Sequence, residues 1–333
     1  MKTISQNHVT MTDVARHLGI SKTTVSHALS GKRPINAKLR AEILSTIEEL
    51  GFRPNFAARI MNTRRTGLIG LLVENLKNPH TTALLEIFSK ELERYSLQTV
   101  LATTENMDRG RELIAKFSEG MVDGILNFLP GLEPDEAKQL ARGVPCVTYL
   151  RHAEAPLVLD YSTGLLNALS YLRELGHRKI AFVSIGKRAG SCPVDPCLDV
   201  YLQWEFCPHD PSLIFTLHEG TVAGGLEIAE AVFSSSATAV FTGNDAVAAG
   251  LYHWAHNHGI RIPDRLSIVG GDNTEMSQQM FPPLTTLDLP VERLALHTVH
   301  VLLAAIIPEE TLPEPVTIIP ELVIRNSTAP IGR

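Results

Sequence analysis

From residue 67 onward, short apolar runs alternate with segments of helical periodicity, and the whole pattern occurs twice. The first run, residues 67–73, is continuously apolar, as in a strand that is buried on both faces of a sheet. Parallel strands need crossover helices, so the alternation predicts an α/β fold. Two successive sets predict a body of two parallel-sheet lobes. Such sheets bind ligands where their strands end, which predicts a ligand cleft between the lobes.

The predicted elements of this body follow from the periodicity of its apolar residues, which is two residues in strands and 3.6 residues in helices. The predicted strands are residues 67–73, 99–102, 124–128, 145–149, 179–184, 239–242 and 267–270. The predicted helices are residues 84–95, 111–120, 163–175, 224–234 and 246–258, with one more between residues 128 and 145.

Composition limits the class of protein. The 333 residues are 44% hydrophobic and 20% charged, which is typical of a globular protein of two or three domains. No run approaches the ~18 apolar residues of a membrane span, and the N-terminus has no apolar run typical of a signal peptide. We therefore expect a cytoplasmic protein that does not contact membranes. Four cysteines, none at CxxC spacing, favour free thiols over a metal site or a disulfide framework, and no cofactor is expected.

Charge is distributed unevenly along the chain. Residues 1–65 contain eleven Lys and Arg against four Asp and Glu, which gives a net charge of +7. Since the whole chain has a net charge of −6, the remaining residues have a net charge of −13. A basic head on an acidic body indicates a polyanionic partner for the head. Charge alone leaves a solvated basic face as an equal alternative.

The head has the pattern of three short helices. A capping residue precedes each one, namely Thr10, Ser21 and Asn36, and glycines follow the first and third, Gly19 and Gly51. The apolar residues at helical spacing are Val14, Ala15, Leu18, Val25, Ala28, Leu29, Leu39, Ile43, Ile47 and Leu50. A three-residue turn between the first two helices predicts an all-α helix-turn-helix unit.

The second helix of such a unit enters the DNA major groove, and its first turn meets the base edges. Lys22, Thr23 and His27 lie on its polar side and could contact guanine, a thymine methyl group and a purine N7. Thr24 and Ser26 suit phosphate contacts or packing. The helix caps Thr10 and Ser21 complete the candidate DNA-binding residues of this unit. The alternative is the surface helix of a metabolic protein.

The segment VTMTDVARHLGISKTTVSHALSGK and the later EELGFRPN resemble the head of the LacI/GalR family of bacterial transcriptional regulators. The resemblance implies a DNA-binding domain over residues 9–54, with the motif at 11–30, followed by a hinge helix and linker over 55–66. In the family, two hinge helices pair across a dimer and insert an apolar side chain, usually Leu, into the minor groove. The matching hinge residues are Asn55, Ala58, Met61 and Asn62, with Met61 at the inserting position. A plain linker is the alternative for this segment.

The body resembles the same family in GLIGLLVENLKNP, MVDGILNF, LRELGHRKIAFVS, ATAVFTGNDAVAAG and IPDRLSIVGGDN. This implies two lobes like those of periplasmic binding proteins: residues 67–160 with 290–320, and residues 161–289 with 321–333. It also implies a homodimeric repressor, with an activator as the alternative, that binds a near-palindromic double-stranded DNA operator. Because the chain stops soon after the last predicted strand of the body, we expect a dimer rather than a tetramer.

The resemblance implies a small-molecule effector in the cleft. The residues at matching positions are His80, Thr81, Asn127, Tyr149, Asn244 and Asp272. Several usual groups are replaced: His80 and Thr81 stand where the family has two aromatic residues, and Leu150 stands where an Asp is common. The effector class therefore stays open, with a sugar or sugar derivative as one candidate. Asp272 could instead cap the next helix.

No catalytic motif competes with this interpretation. Residues 220–225 are rich in glycine but lack the Lys-Ser or Lys-Thr pair of a phosphate-binding loop, and GxGxxG, GxSxG and HExxH are all absent. Two histidine groups lack carboxylates at metal-ligand spacing and are expected on solvated helix faces: His253, His256 and His258, and His297 and His300. We therefore expect a regulator without enzymatic activity.

Overall fold

The structure is a computed structural model that describes residues 9–30, 33–52, 65–129, 131–150, 157–185 and 196–332. The chain divides into two compact units, the head of residues 1–66 and the body of residues 67–333. Each unit has its own hydrophobic core.

The head contains three helices, α1 (Met11–His17), α2 (Lys22–Ser30) and α3 (Ala37–Glu49). Thr10 and Asp13 form a capping box at the start of α1, and Asn36 accepts a hydrogen bond from the backbone N–H of Lys38 at the start of α3. Gly19 and Gly51, just after α1 and α3, both have a φ of +65°, which a residue with a Cβ adopts at a cost. The predicted helices of the head are therefore present with their predicted ends.

Apolar residues from all three helices form the core of the head. The fully or almost fully buried members are Val14, Ala15, Val25, Ala28, Ile43 and Phe52. Leu18, Leu29, Leu39, Ile47 and Leu50 pack around them while partly exposed. The helical spacing of these residues thus produces one shared core, as expected for a helix-turn-helix unit.

The body alternates strands and helices. Its strands are β1 (Leu68–Val73), β2 (Gln98–Thr103), β3 (Gly124–Asn127), β4 (Cys146–Thr148), β5 (Leu157–Leu159), β6 (Ile180–Ile185), β7 (Ile214–Leu217), β8 (Ala239–Phe241), β9 (Ser267–Asp272), β10 (Thr285–Asp288), β11 (Val316–Ile318) and β12 (Glu321–Val323). Its helices are α4 (Pro79–Arg94), α5 (Met107–Phe117), α6 (Pro134–Leu140), α7 (Tyr161–Glu174), α8 (Pro196–Gln203), α9 (Val222–Ser234), α10 (Asp245–Asn257), α11 (Glu275–Gln279) and α12 (Val291–Ile306).

Two sheets organise these elements. The first sheet has the order β2-β1-β3-β4 and is entirely parallel. The second sheet has the order β12-β10-β9-β8-β6-β7 and is parallel except for β12, which runs antiparallel to β10. A separate pair is formed by β5 and β11, which are parallel. The predicted α/β body with parallel sheets is confirmed.

The chain passes between the regions of the two sheets three times. Residues of β5 and β11 belong to the core beside the first sheet, whereas α7, which follows β5, packs in a core beside the second. After β10 of the second sheet, α12 returns to the first sheet and packs against α4 through residues such as Leu294 and Phe88. The three connections lie close to Asp160, Leu289 and Pro320.

Some elements differ from the predicted ones. The helix predicted over 84–95 begins at Pro79, because the side chain of Asn78 accepts a hydrogen bond from the backbone N–H of His80 and Pro79 fits the first helical turn. The helix predicted over 111–120 begins at Met107, with Asn106 as its cap. Among the described residues, no helix is long and apolar enough to span a membrane.

Candidate functional site

The first turn of α2 presents an exposed polar surface on the head. Ser21, Lys22 and Thr23 are exposed, and Ser26 and His27 are half-buried. On the opposite side, Val25 and Ala28 belong to the core, so the polar side of the helix remains accessible. The arrangement places a cation and two hydroxyl-bearing side chains at the start of the second helix of a helix-turn-helix unit. These are the groups that read base edges in that position.

The candidate residues nearest the cap are engaged within the head. The backbone N–H of Thr24 donates to the hydroxyl oxygen of Ser21 at 3.0 Å, and the two hydroxyl groups lie 2.8 Å apart. Thr10 donates from its hydroxyl to the Asp13 carboxylate at 2.6 Å. This hydrogen bond is the main cause of the lowered pKa of Asp13. The first role of Thr10, Ser21 and Thr24 in this structure is to fix the helix starts.

Several basic side chains of the head are exposed on α1, α2, α3 and the segment before α3. The exposed ones are Arg16, Lys22, Arg33, Lys38 and Arg40. The hinge candidates Asn55, Ala58, Met61 and Asn62 lie outside the described residues.

The body contains a cavity of about 520 Å³ between the two sheets. Its lining residues are the last residues of β1 and β6 or lie on segments that follow β1, β2, β3, β4, β7 and β8, at the carboxyl ends of parallel strands from both sheets. They are Val73, Glu74, Asn75, Asn78, His80, Thr81, Leu84, Glu105, Met107, Phe128, Tyr149, Ile185, His218, Glu219, Gly220, Thr221 and Asn244. This is the edge at which doubly wound sheets bind their ligands.

Four of the six predicted effector residues line the cavity, namely His80, Thr81, Tyr149 and Asn244. Asn127 does not: it is fully buried, its amide donates to the Thr148 hydroxyl, and its carbonyl oxygen accepts from the backbone N–H of Leu129. Asn127 therefore holds the ends of β3 and β4 in place.

Asp272 is buried at the end of β9 and is also absent from the lining. Burial raises its pKa to about 7, and a hydrogen bond from Asn78 opposes that rise. Asn78 begins α4 beside the first sheet, so this hydrogen bond joins the two sheets. Asp272 does not cap α11 by a side-chain hydrogen bond; instead the neighbouring Asp245 accepts from the backbone N–H of Thr274 at 2.7 Å.

Asp245, next to the lining residue Asn244, is a second buried carboxyl group. It also accepts hydrogen bonds from the hydroxyl groups of Thr274 at 2.8 Å and Thr286 at 2.6 Å. Burial raises its pKa to about 6 in spite of these donors. Since each of these bonds connects the start of α10 to segments after β9 and in β10, Asp245 supports the architecture of the second sheet.

Two buried polar atoms in the cavity wall have no hydrogen-bond partner among the described residues. They are Nδ1 of His80 and the hydroxyl of Tyr149. Burial lowers the pKa of His80 to about 4, so its ring is neutral at neutral pH, and burial raises the pKa of the Tyr149 hydroxyl. A buried polar group without a partner is costly, which is typical of a site whose ligand supplies that partner.

Sequence reasoning did not identify the carboxylates of the cavity wall. Glu74, Glu105 and Glu219 each follow a strand closely, and that position at the carboxyl end of a parallel strand was the available signal. Lys77, in the segment after β1, donates to Glu219 at 2.8 Å and lies 3.5 Å from Glu105. In the described part of the chain, no group of three or more His, Cys, Asp or Glu residues could hold a metal ion.

Comparison with known proteins gives a match for each unit. Residues 10–55 match the family of bacterial regulatory proteins, lacI family, and residues 169–328 match a periplasmic binding protein-like domain. The HTH-type transcriptional regulator DegA of Bacillus subtilis is 26% identical, over 97% of this chain and 99% of that protein. The HTH-type transcriptional repressor PurR of Vibrio campbellii is 28% identical, over 96% of this chain and 98% of that protein.

Solved structures share the fold. A lac repressor dimer bound to operator and the anti-inducer ONPF superposes with a TM-score of 0.81 at 20% identity, covering 97% of this chain and all of that one. A LacI family transcriptional regulator from Enterococcus faecium, with bound ribose, superposes with a TM-score of 0.66 at 28% identity. That comparison covers 79% of this chain and 99% of the other.

Proposed function

We propose that the chain is a member of the LacI family of bacterial transcriptional regulators, and that it is a repressor that binds a near-palindromic DNA operator as a homodimer. The members it resembles are DNA-binding regulators, and the chain is a regulator rather than an enzyme. Since its partner is chromosomal DNA, the proposed location is the cytoplasm.

The observation that carries the proposal is the exposed polar start of α2 in a head that matches the family over residues 10–55. Lys22, Thr23 and His27 read the bases of one half-site in the major groove. Thr10, Ser21, Thr24 and Ser26 contact phosphates while they cap or pack the helices. The exposed basic side chains of the head supply the attraction to the phosphate backbone that every sequence shares.

The hinge residues complete the proposed DNA interface. Asn55, Ala58, Met61 and Asn62 contact the minor groove at the operator centre, where Met61 is the wedge between base pairs. A two-fold operator requires two heads, which a homodimer supplies. The exposed Phe281, 95% accessible in the single chain, suits burial against a second copy, and the lac repressor of the same fold is a dimer on its operator.

The cavity is the proposed effector site. His80, Thr81, Tyr149 and Asn244 contact the ligand directly, whereas Asn127 and Asp272 act by holding the strand ends around it. The proposed lobes are residues 67–160 with 290–320 and residues 161–289 with 321–333. An effector that binds the open and closed forms of the two lobes with different affinities shifts the equilibrium between those forms. Through the hinge, this shift changes the affinity of the head for DNA. The ribose-bound relative makes a sugar or sugar derivative a reasonable first candidate.

Selection of bound duplexes from a randomised library tests the proposal. The purified full-length chain is used at fixed, near-physiological salt, because phosphate contacts make affinity fall steeply with ionic strength. The expected result is a site with two-fold symmetry and a flexible central step. Recovery of no shared sequence would show that the head is only a basic anchor.

A further inference from the structure

We propose that the cavity of the body binds a small polar ligand that carries a protonated amine and no acidic group. This inference rests on the proposed function, since it names the effector class of the same site. Three features of the cavity wall support it: the polar groups that the protein already occupies, the charges around them, and the unpartnered atoms of His80 and Tyr149.

The neutral acceptors of the wall are largely used by the protein itself. In each of four lining residues the side-chain oxygen accepts a hydrogen bond from a backbone N–H: Asn75 from Lys77, Asn78 from His80, Thr221 from Gly224 and Asn244 from Val247. Asn244 also donates to the carbonyl oxygen of Gly220. The strong acceptors that remain are therefore the carboxylates, and carboxylates favour ligands rich in N–H and O–H donors.

The charges of the cavity wall also favour a ligand with a protonated amine. Three carboxylates line the cavity, those of Glu74, Glu105 and Glu219, and no Lys or Arg is among the described lining residues. The nearby Lys77 already contacts two of these carboxylates. Glu74 is half-buried and has neither an ion pair nor a hydrogen bond with any described residue. An ammonium group placed beside Glu74 would gain an ion pair in a partly desolvated site, which is stronger than the same pair in water.

The unpartnered atoms favour a bound ligand over solvated charge alone. His80 Nδ1 and the Tyr149 hydroxyl are buried in residues that line the same cavity as Glu74. A neutral imidazole can accept or donate one hydrogen bond, and a phenol can do both. Leu84, Met107 and Phe128 add an apolar wall for the carbon skeleton of the ligand. The combined preference is for an amine with further hydroxyl groups, such as an amino polyol or an amino sugar.

An anionic ligand is disfavoured in this cavity. A phosphate or carboxylate would be desolvated beside three carboxylates, with no unpaired cation in the described wall to compensate. Since His80 is neutral at neutral pH, it adds no positive charge. The cavity therefore discriminates by charge between ligands of the same shape.

Matched ligands of different charge test this inference. Tris, pentaerythritol and 2,2-bis(hydroxymethyl)propionate share a hydroxymethylated carbon centre and are cationic, neutral and anionic, and glucosamine, glucose and glucose 6-phosphate form a second series. Calorimetric titration of the full-length chain at neutral pH should give tighter binding of the amine by about tenfold over its neutral partner, as expected for one charged hydrogen bond. The anion should bind more weakly still. Above the pKa of the ligand amine, the preference should disappear.

Two substitutions test whether Glu74 causes the preference for amines. Glu74→Gln should remove the preference for the amine and leave affinity for the neutral partner unchanged, whereas Glu93→Gln, an exposed residue of α4 outside the cavity, should change neither. Equal affinities within both series, tighter binding of the anions, or no binding of either amine would overturn the inference. Duplex binding is measured on the same preparation: a chain that selects a DNA site but shows no preference for amines refutes the ligand class alone, and the proposed regulator stands.

Discussion

The ammonium group of Lys77 donates to the carboxylate of Glu219 at 2.8 Å, and these residues lie 142 positions apart in the chain. Lys77 follows β1 of the first sheet and Glu219 follows β7 of the second, so the pair joins the two sheets beside the cavity. The hydrogen bond to Glu219 is the largest cause of the raised pKa of Lys77. Both side chains are about half exposed, so solvent and salt weaken the pair.

The first prediction concerns this ion pair. Lys77→Met should change ligand affinity by no more than about threefold, because the pair that joins the two sheets is exposed and weak, and its loss is opposed by the release of the Glu219 and Glu105 carboxylates toward a cationic ligand. The effect should vanish at high salt. Lys90→Met is the matched control, since Lys90 pairs with Glu86 inside α4 and joins no second element. Calorimetric titration of both variants at low and high salt provides the measurement. A loss that persists unchanged at high salt would contradict a screened contact.

The second prediction concerns pH. Asp245 and Asp272 have folded-state pKa values of about 6 and about 7, against an ordinary value of 3.8. Between about pH 4 and pH 7 the folded chain therefore binds more protons than the unfolded chain, and the free energy of unfolding contributed by these groups falls as pH rises. Above about pH 8, where both carboxyl groups are ionised, this contribution is constant.

Asp272→Asn should remove most of that dependence and stabilise the chain at pH 7.5 by an amount on the order of 2 kcal/mol. Asn tolerates the positive φ of 95° at this position better than most residues, and its carbonyl oxygen can still accept from Asn78. Asp264→Asn, at an exposed surface pair with Arg261, is the control. Urea denaturation from pH 5 to pH 8 measures both, and a steeper slope in Asp272→Asn would show that the buried carboxyl group is not the cause.

The third prediction concerns the unpartnered hydroxyl of Tyr149. Tyr149→Phe keeps the ring that packs against Phe128 at a centroid distance of 4.8 Å and removes a buried polar atom without a partner. The free energy of unfolding without ligand should stay unchanged or rise by up to about 1 kcal/mol, while ligand binding weakens. Tyr201→Phe is a useful contrast, because the Tyr201 hydroxyl donates to the Ile180 carbonyl oxygen at 2.7 Å and its loss should destabilise. Equal destabilisation by both substitutions would argue against a ligand contact at Tyr149.

The fourth prediction concerns the cap of α1. Thr10→Ala should destabilise the head by about 1 kcal/mol, since it removes the hydroxyl that accepts from the backbone N–H of Asp13. Thr10→Ser keeps that hydroxyl and should retain the stability of the head. Thermal unfolding followed by circular dichroism compares the two variants. If serine fails to replace threonine, then the methyl group rather than the cap is what matters at this position.

Local signals in the sequence were sufficient for the head. Thr10, Ser21 and Asn36 stand immediately before apolar residues at helical spacing, and glycine follows two of the helices, so caps and periodicity agree at every step. The parallel strands of the body were equally clear, because a buried strand such as β1 is a continuous apolar run. The body elements that went unpredicted lacked such signals. Residues 192–197, which run into the start of α8, contain two prolines and two cysteines. Helix α12 is apolar on most of its surface because it is buried between other elements.

The cavity was predictable in position and only partly in composition. Parallel sheets bind at their carboxyl ends, which located the site, and the resemblance supplied His80, Tyr149 and Asn244. It also supplied Asn127, whose side chain bonds to the ends of β3 and β4 instead of lining the cavity. Whether a polar side chain at a strand end faces a cavity or braces its neighbour depends on contacts between distant segments. One sequence does not reveal those contacts, and the role of each site residue stays a prediction.

The most direct test of the central claim is the ratio of affinities for a selected duplex and for a scrambled duplex of equal length. Full-length protein at fixed salt should prefer the selected site by at least about a thousandfold. Lys22→Ala should cost about 1–3 kcal/mol on the selected site and relax the preference at one base pair, whereas Lys38→Ala, at an exposed lysine of α3, should weaken both duplexes alike. A ratio close to one, or equal losses from both substitutions, would contradict a head that reads sequence through α2.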